Sequence, residues 1–520
     1  MYIQEIKIKN YKCFTDSEEQ EYKFNCPDGK TKGSGLNILT GKNNSGKSSL
    51  LETIKFSGDI EDKTIDEDVV NFKARKAGED IYVRLISNSQ EGLGLEYNSQ
   101  LYKGKYKNHK LSKILEKGVN DVEKKATFMP KVYHVSPNRY LEKKIQFGQL
   151  SGRVSQGRQE RVVERRDDYK IIPEIEAMGE ACRDEFNSLI NSFLPDISGI
   201  DIKTSSRHNY ACLVCILSTQ NKDKVDLQDM GSGIEQFVIL VWLLKYSGDN
   251  NIFLIDEPEV FLHPQAQNRL LQLIIQESKN KQIFMSTHSN HLIRPELADK
   301  IYRFQNTING VLIHTPNSTV AKQIEKASNR KFFPYHHNLF FTDFAIFVEG
   351  VKDYENYVEF CIDNKFEELM DCFYLLNSKH NVDFFEKFCL SFGIEFFAIV
   401  DNDFSFEKPY WKNKVRAKNV GDVLNFIEEK GVEFNKDLFV EKMGEAKNKS
   451  IKAMGGKKKT KKDEGGFLKV VDRNIVVLNK GEIEDYFDVD GKVIDLEREK
   501  ELKAIFKYLK KAWSKHNDIY

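Results

Sequence analysis

Residues 41–48 have the spacing Gly-x-x-x-x-Gly-Lys-Ser, and this short stretch restricts the possible folds of the chain more than any other. An apolar run at 36–40 precedes it, and a run compatible with a helix follows at 49–54. In this context the two glycines permit a tight turn whose backbone N–H groups face a polyphosphate, beside the positive end of a helix. The pattern predicts a nucleotide-binding loop within an α/β fold.

Each polar side chain of this loop has an expected task in binding ATP. Lys47 is expected to reach the β- and γ-phosphates, and the Ser48 hydroxyl is expected to bind Mg²⁺. The residues predicted to contact the nucleotide here are Gly41, Asn43, Asn44, Gly46, Lys47, Ser48 and Ser49.

A second glycine cluster and a pair of acids lie about 200 residues further along. Gly231-Ser232-Gly233 opens an apolar helical run, which is typical of a second anion-binding element. An apolar run at 252–255 then ends in Asp256 and Glu257. Asp256 is expected to hold Mg²⁺, and Glu257 is expected to polarise the attacking water.

A further apolar run, residues 282–287, ends at His288. This histidine is predicted to touch the γ-phosphate. Together these motifs indicate ATP hydrolysis.

Composition excludes some classes of function. The chain has 79 Lys plus Arg and 79 Asp plus Glu, so any nucleic-acid contact must come from a local patch. No run approaches the roughly 18 apolar residues of a membrane span, and the N-terminus lacks the apolar segment of a signal peptide. We therefore expect a cytoplasmic protein without a membrane partner.

Two cysteines, Cys212 and Cys215, have C-x-x-C spacing. They lie in an apolar run with no second pair nearby. A zinc or redox site is one interpretation, and buried thiols in a core strand are the interpretation we favour.

The C-terminal part of the chain places carboxylates at the ends of three predicted strands. Glu349 follows the apolar run 344–348, and Asp353 lies one helical turn further on. Asp401 and Asp403 follow the run 396–400 and project to one side of an extended chain. A third strand at 475–478 precedes Lys480, Glu482, Glu484 and Asp485. Carboxylates that converge at one sheet edge repel each other unless a cation such as Mg²⁺ or Mn²⁺ is bound.

Residues 1–335 resemble an ABC-type ATPase of the recombination-protein and chromosome-maintenance branch. The resemblance implies a Walker A motif at 41–48, a Walker B motif at 253–257 and a switch histidine at His288. It also implies a signature loop, which departs from the transporter consensus. In this family the signature loop of one subunit closes on the nucleotide of the other, which implies a homodimer. The implied nucleotide contacts of that loop are Gly231, Ser232, Gly233 and Gln236.

Residues 341–520 resemble a Toprim domain, a metal-binding fold with a mostly parallel, Rossmann-like sheet. The E-G-x-x-D and D-x-D elements match at 349–353 and 401–403. The resemblance implies Glu484 as a further metal ligand and Lys480 as a basic residue near the scissile phosphate. The implied catalytic residues are Glu257 and His288 for ATP hydrolysis, and Glu349, Asp401, Asp403 and Lys480 for cleavage. The implied metal ligands are Ser48 and Asp256 at the first site, and Glu349, Asp353, Asp401, Asp403 and Glu484 at the second.

An ABC-type ATPase followed by a Toprim domain is the arrangement of the OLD nuclease family, which includes antiphage-defence nucleases. The resemblance implies an ATP-dependent, metal-dependent endonuclease that acts on nucleic acid, DNA more than RNA, with a helicase or reverse transcriptase as a possible partner. An alternative is an ATP-driven DNA clamp or repair scaffold whose Toprim domain binds without cutting. A topoisomerase or primase would need a cleavage domain or zinc motif that the sequence does not display.

Three segments carry no motif of this family. Residues 57–130 are expected to form an inserted lobe, and residues 141–210 a helical segment that packs internally or forms a dimer surface. Residues 447–462 contain eight lysines and no acid. This lysine-rich loop is interpreted either as a binding site for nucleic-acid phosphates or as a solvated loop.

Overall fold

A computed structural model describes most of the chain. The described residues are 2–9, 13–14, 20–58, 81–87, 93–102, 105–115, 132–135, 145–146, 175, 179–205, 210–219, 221–230, 232–260, 262–307, 310–331, 334–378, 381–401, 469–471, 475–478, 483–488 and 491–517. Several predicted features lie outside them, namely Gly231, Asp403, Lys480 and the lysine-rich loop 447–462.

The described helices and strands alternate as expected for an α/β fold. The α-helices are α1 (Lys47–Gly58), α2 (Glu180–Phe193), α3 (Ser232–Tyr246), α4 (Pro264–Glu277), α5 (Ser318–Lys331), α6 (Val351–Asn364), α7 (Val382–Ser391) and α8 (Leu496–Asn517). The strands are β1 (Ile3–Lys9), β2 (Gln20–Lys23), β3 (Leu36–Gly41), β4 (Ile81–Ser87), β5 (Leu93–Tyr102), β6 (Lys105–Leu115), β7 (Val132–Val135), β8 (Ile145–Gln146), β9 (Ile197–Ser205), β10 (Tyr210–Leu217), β11 (Lys224–Asp226), β12 (Ile252–Asp256), β13 (Gln282–Ser286), β14 (Ile301–Thr307), β15 (Gly310–His314), β16 (Phe344–Val348), β17 (Phe373–Leu375), β18 (Glu395–Val400), β19 (Lys469–Val471) and β20 (Ile475–Val477).

The chain divides into two compact units. The first comprises Met1–Arg294, Lys300–Phe304 and Asn309–Ile313. The second comprises Pro295–Asp299, Gln305–Ile308 and His314–Tyr520. The assignment of residues 1–335 to an ATPase and 341–520 to a Toprim domain stays a prediction.

The first unit is built on a sheet with the order β15-β14-β3-β13-β12-β7. Strands β14, β3, β13, β12 and β7 run parallel. All residues of β3 and β13 are buried, which is the pattern of parallel strands covered on both faces. This topology brings the carboxyl ends of β3, β12 and β13, and the loops that follow them, to one sheet edge.

The strands of the predicted inserted lobe continue the N-terminal hairpin. The sheet order is β2-β1-β4-β5-β6, and every neighbouring pair is antiparallel. Strand β1 buries Ile6 and Ile8 in a core that also contains Leu39 and Leu50. The N-terminal strand thus packs close to the nucleotide-binding loop.

Helix α2 packs inside the first unit. Its buried residues Phe186, Ile190 and Phe193 lie on one helical face. Phe186 meets the Trp242 ring edge-on at 5.2 Å, and Phe193 meets Phe237 at 5.0 Å. This packing favours the internal interpretation for α2, and strands β8 and β9 show that residues 141–210 are not helical throughout, contrary to the prediction.

The second unit contains a sheet with the order β17-β16-β18-β20-β19. All of its strands are parallel except β19, which pairs antiparallel with β20. Helices α6 and α8 cover a core that includes Ile346, Tyr357 and Phe506. The three strands that precede the predicted carboxylates, β16, β18 and β20, are direct neighbours. None of the described helices combines the length and the apolarity needed to cross a membrane.

Candidate nucleotide and carboxylate sites

The nucleotide-binding loop joins β3 to α1 as the motif predicts. Gly41 has φ +131° and Gly46 has φ +95°, values that side-chain-bearing residues rarely adopt. A Cβ at Gly41 would overlap the carbonyl oxygen of Phe304, and a Cβ at Gly46 would lie 2.6 Å from the Cys13 sulfur. Both glycines are therefore required by conformation and by space.

Lys47 is held inside this loop. Its Nζ donates to the carbonyl oxygens of Gly41 at 3.1 Å and Lys42 at 2.8 Å, and to Ser45 Oγ at 3.4 Å. Burial lowers the pKa of Lys47 to about 8, against the opposing charges of nearby acids. The ammonium is thus placed where phosphate oxygens could replace the carbonyls as acceptors.

The two predicted magnesium ligands of the first site lie together. The Ser48 hydroxyl lies 3.5 Å from Asp256 Oδ2, at the end of β12. The other oxygen of Asp256 accepts a hydrogen bond from the Ser286 hydroxyl at the end of β13. A hydroxyl and a carboxylate at the mouth of the loop are hard oxygen donors, which suits Mg²⁺.

Glu257 and His288 face each other beside this pair. Glu257 adopts φ +46°, and its backbone N–H donates to Ser286 O at 3.1 Å and Oγ at 3.2 Å. His288 Nε2 lies 3.9 Å from Glu257 Oε1. Burial and, secondarily, the charge of Lys47 lower the pKa of His288. A neutral imidazole beside a carboxylate can orient a water for attack.

The predicted signature loop is described only in part. Helix α3 begins at Ser232, and a 3₁₀ turn at Leu227–Met230 precedes it. Gly231 lies outside the described residues. The roles of Ser232, Gly233 and Gln236 in nucleotide binding stay predictions.

The second unit brings two predicted metal ligands into contact. Glu349 follows β16 and Asp401 follows β18, and the Asp401 backbone N–H donates to Glu349 Oε1 at 3.1 Å. Asp401 Oδ1 accepts the N–H of Ile483 at 3.1 Å, in the 3₁₀ turn that also contains Glu484. Asp403 and Lys480 lie outside the described residues. Within the described part of the chain, no three His, Cys, Asp or Glu side chains form a ready-made metal cluster.

Asp353 has a structural task as well. Helix α6 begins after Gly350, and Asp353 Oδ2 accepts the Gly350 N–H at 2.9 Å. Burial raises the pKa of Asp353, and the charge of Glu484 raises it further. Asp353 therefore caps the helix, and the negative charge of Glu484 acts on its carboxyl group.

The C-x-x-C pair lies in β10, where Cys212 and Cys215 are both buried. Residues three apart in a strand point to opposite faces, so the two thiols cannot share a ligand. Burial raises the pKa of Cys215 to about 12. This geometry favours the interpretation of core thiols.

Two residues of the first site were missed at the level of sequence. Ser286 bonds to Asp256 and to the Glu257 backbone, and Glu259 binds the backbone of His288. Two features of the sequence could have indicated them. Hydroxyl side chains directly precede His288, and Asp-Glu-Pro-Glu contains a third acid, Glu259.

Comparison with known proteins supports the ATPase assignment. Residues 36–294 match the family described as "AAA domain, putative AbiEii toxin, Type IV TA system". A Helicobacter pylori protein named "ATP/GTP phosphatase" is 25% identical over 349 residues, which cover 58% of this chain and 88% of that protein. The chain therefore contains an AAA-type ATPase domain.

A second relative is the "Endonuclease GajA" of Bacillus cereus, 30% identical over 151 residues. The match covers 23% of this chain and only about a fifth, 21%, of GajA.

Among solved structures, the SMC head bound to the C-terminal winged-helix domain of ScpA has a TM-score of 0.41, with 15% identity over 61% of this chain and 99% of that one. The SMC head domain of Thermotoga maritima has a TM-score of 0.35, with 16% identity and the same two coverages. Both scores are below 0.5, and the α/β assignment rests on the strand order.

Proposed function

We propose that this chain is an ATP-controlled, metal-dependent nuclease that hydrolyses phosphodiester bonds of nucleic acid. The observation that carries the proposal is the contact between Glu349 and Asp401. These acids follow neighbouring parallel strands, and the Asp401 backbone N–H donates to the Glu349 carboxylate at 3.1 Å. Such an arrangement places carboxylates where a phosphodiester can approach the open edge of the sheet.

The donors of this carboxylate site fit a hard divalent cation. Glu349, Asp353, Asp401 and Glu484 offer only oxygen, which suits Mg²⁺ or Mn²⁺. The pKa of Asp353, which burial and the nearby charge of Glu484 raise, supports a site where negative charges lie close together. Asp403 would complete the set. When bound, the ions would stabilise the attacking and leaving oxygens of a phosphodiester.

The first unit would supply control through ATP. Lys47 would bind the β- and γ-phosphates, and Ser48 and Asp256 would hold Mg²⁺. Glu257 would orient the attacking water, and His288 would sense the γ-phosphate from its position beside Glu257. Differential binding of ATP to two arrangements of a homodimer would change access to the carboxylate site.

The names of the relatives support the two halves of this proposal. The Helicobacter pylori protein is named a phosphatase of ATP and GTP, and GajA is named an endonuclease. A Toprim domain of the OLD family, DNA as substrate, antiphage defence and a helicase or reverse transcriptase partner remain parts of the proposal.

The test is a cleavage assay with supercoiled plasmid, linear DNA and total RNA, each with Mg²⁺ or Mn²⁺. Wild type is compared with the double variant Asp401→Ala, Asp403→Ala and with Asp363→Ala, which removes an exposed acid of the second unit. We expect wild type and Asp363→Ala to cleave at least one substrate, and the double variant to lose cleavage while it retains ATP hydrolysis. Equal cleavage by all three proteins would refute the assigned nuclease site.

Control by ATP is tested in the same assay with Lys47→Ala, with and without ATP. The rate of cleavage by wild type should depend on ATP, and that of Lys47→Ala should not. Wild type that binds DNA but never cuts, with unchanged binding by the double variant, would favour the clamp or scaffold.

A further inference from the structure

Glu259 is a half-buried acid of the ATPase domain to which the motifs assign no role. It lies in the turn between β12 and α4. Its Oε1 accepts the backbone N–H of His288 at 2.6 Å. Its Oε2 is enclosed and has no hydrogen-bond partner among the described residues. Burial raises the pKa of Glu259, while the His288 N–H and the Thr287 hydroxyl act in the opposite direction.

An enclosed carboxylate is costly unless it is hydrogen-bonded, and the structure shows the bond from the His288 N–H. A side chain that served only to fill the turn could be apolar. The carboxylate instead joins the segment after β12 to the segment after β13. Those two segments carry Glu257 and His288.

A second connection joins the same two segments. Gln267 of α4 donates to the Leu262 carbonyl at 2.8 Å and accepts the Ser289 hydroxyl at 2.5 Å. Glu259 thus binds the backbone N–H of His288, and Gln267 binds the side-chain hydroxyl of the next residue, Ser289. The imidazole can then keep its distance of 3.9 Å from Glu257 only if this backbone stays in place.

The conformation of Glu257 makes such a constraint necessary. A positive φ in a residue other than glycine is unfavourable and persists only where the surroundings enforce it. The Glu257 backbone N–H is bonded to Ser286, which directly precedes the Thr287–His288 segment. A displacement of that segment would move both partners of the carboxylate–imidazole pair.

We propose that Glu259 is a positioning residue for ATP hydrolysis, which holds the His288 backbone and so sets the imidazole against Glu257. The inference rests on the ATPase part of the proposed function. It assigns no contact between Glu259 and nucleotide.

The test compares Glu259→Ala, which removes the acceptor, with Glu259→Gln, which keeps an oxygen for the His288 N–H. Glu185→Gln serves as a control because Glu185 is an exposed acid in α2 of the same unit. We expect Glu259→Ala to lower kcat for ATP hydrolysis by about tenfold or more, with KM within about twofold of wild type. Glu259→Gln should retain kcat within about threefold. If kcat falls as far in Glu259→Gln as in Glu259→Ala, the proposal is overturned. The charge of Glu259, and not its hydrogen bond to His288, would then determine the rate of hydrolysis.

Hydrogen exchange of the peptide that contains residues 282–290 provides a readout independent of activity. The His288 amide should exchange faster in Glu259→Ala and remain protected in wild type, Glu259→Gln and Glu185→Gln. Unchanged protection in Glu259→Ala would overturn the inference. If wild type hydrolyses no ATP, the proposed function fails, and exchange still decides whether Glu259 holds His288. If Glu259→Ala does not fold, Glu259→Gln must keep both kcat and protection for the proposal to stand.

Discussion

The two candidate sites place an aspartate in the same way but surround it differently. Asp256 follows β12 and Asp401 follows β18, and both strands are buried and parallel. The environment of Asp256 includes hydroxyls and the charge of Lys47, whose pKa responds to that acid. The Asp401 carboxylate instead accepts the backbone N–H of Ile483, and the Asp401 backbone N–H donates to the Glu349 carboxylate.

This difference indicates what each site can bind. A fixed ammonium together with carboxylates complements a polyphosphate and its metal, because both signs of charge are present. At the second site, burial and, secondarily, the charge of Glu484 raise the pKa of Asp353, and the carboxylates would complement a cation. We therefore propose that the first site binds an anion with its metal, and that the second binds metal alone.

The strongest test of this contrast is the removal of the ammonium by Lys47→Ala. We expect kcat/KM for ATP hydrolysis to fall about 10²- to 10³-fold, the scale of losing one preorganised charge at a transition state. Lys30→Ala, which removes an exposed lysine of the same unit, should hydrolyse ATP as wild type does. Wild-type hydrolysis by Lys47→Ala would show that the phosphate contact is made elsewhere.

A second test concerns His336, a buried histidine of the second unit. His336 donates to the Leu375 carbonyl at 2.7 Å, and burial lowers its pKa to about 4. The unfolded chain binds this proton near pH 6.5, so stability is lost as pH falls from about 6.5 towards 4. Between pH 7 and pH 5 the free energy of unfolding should decrease by about 2 kcal/mol through this residue.

The measurement is denaturant unfolding at both pH values for wild type, His336→Gln and His337→Gln. The pH dependence should weaken in His336→Gln and persist in His337→Gln, which alters the adjacent, half-buried histidine. The same pH dependence in wild type and His336→Gln would contradict the assignment.

The smallest expected effect concerns Asp353, which caps helix α6 and is also a predicted metal ligand. Loss of its bond to the Gly350 N–H in Asp353→Ala should cost about 1 kcal/mol of stability, as is usual for a helix cap. Asp353→Asn keeps an oxygen acceptor and should unfold near the wild-type midpoint. Metal-dependent cleavage should fall in both variants if Asp353 is also a ligand. Full cleavage by Asp353→Asn would leave Asp353 as a cap only.

The local motifs were sufficient to predict the strands, the loop and the helix around the candidate sites. The spacing of Gly41, Gly46 and Lys47 predicted a strand, a loop and a helix, because few sequences permit that turn. Apolar runs that end in acids predicted β12, β16 and β18, because parallel strands that are buried on both faces have continuously apolar sequences. The ATPase part is confirmed by the comparisons, while the Toprim part stays a prediction.

The sequence by itself determined which chemistry each strand end carries, because residue type and spacing are local properties of the chain. Tertiary structure alone decided which ends meet: β16, β18 and β20 became neighbours, and Ser286 came beside Asp256. It also decided that Cys212 and Cys215 face opposite sides of β10, that α2 packs internally, and that Glu259 reaches His288. These contacts join residues far apart in the chain or depend on strand geometry, and they form only when the burial of apolar surface fixes the order of the strands.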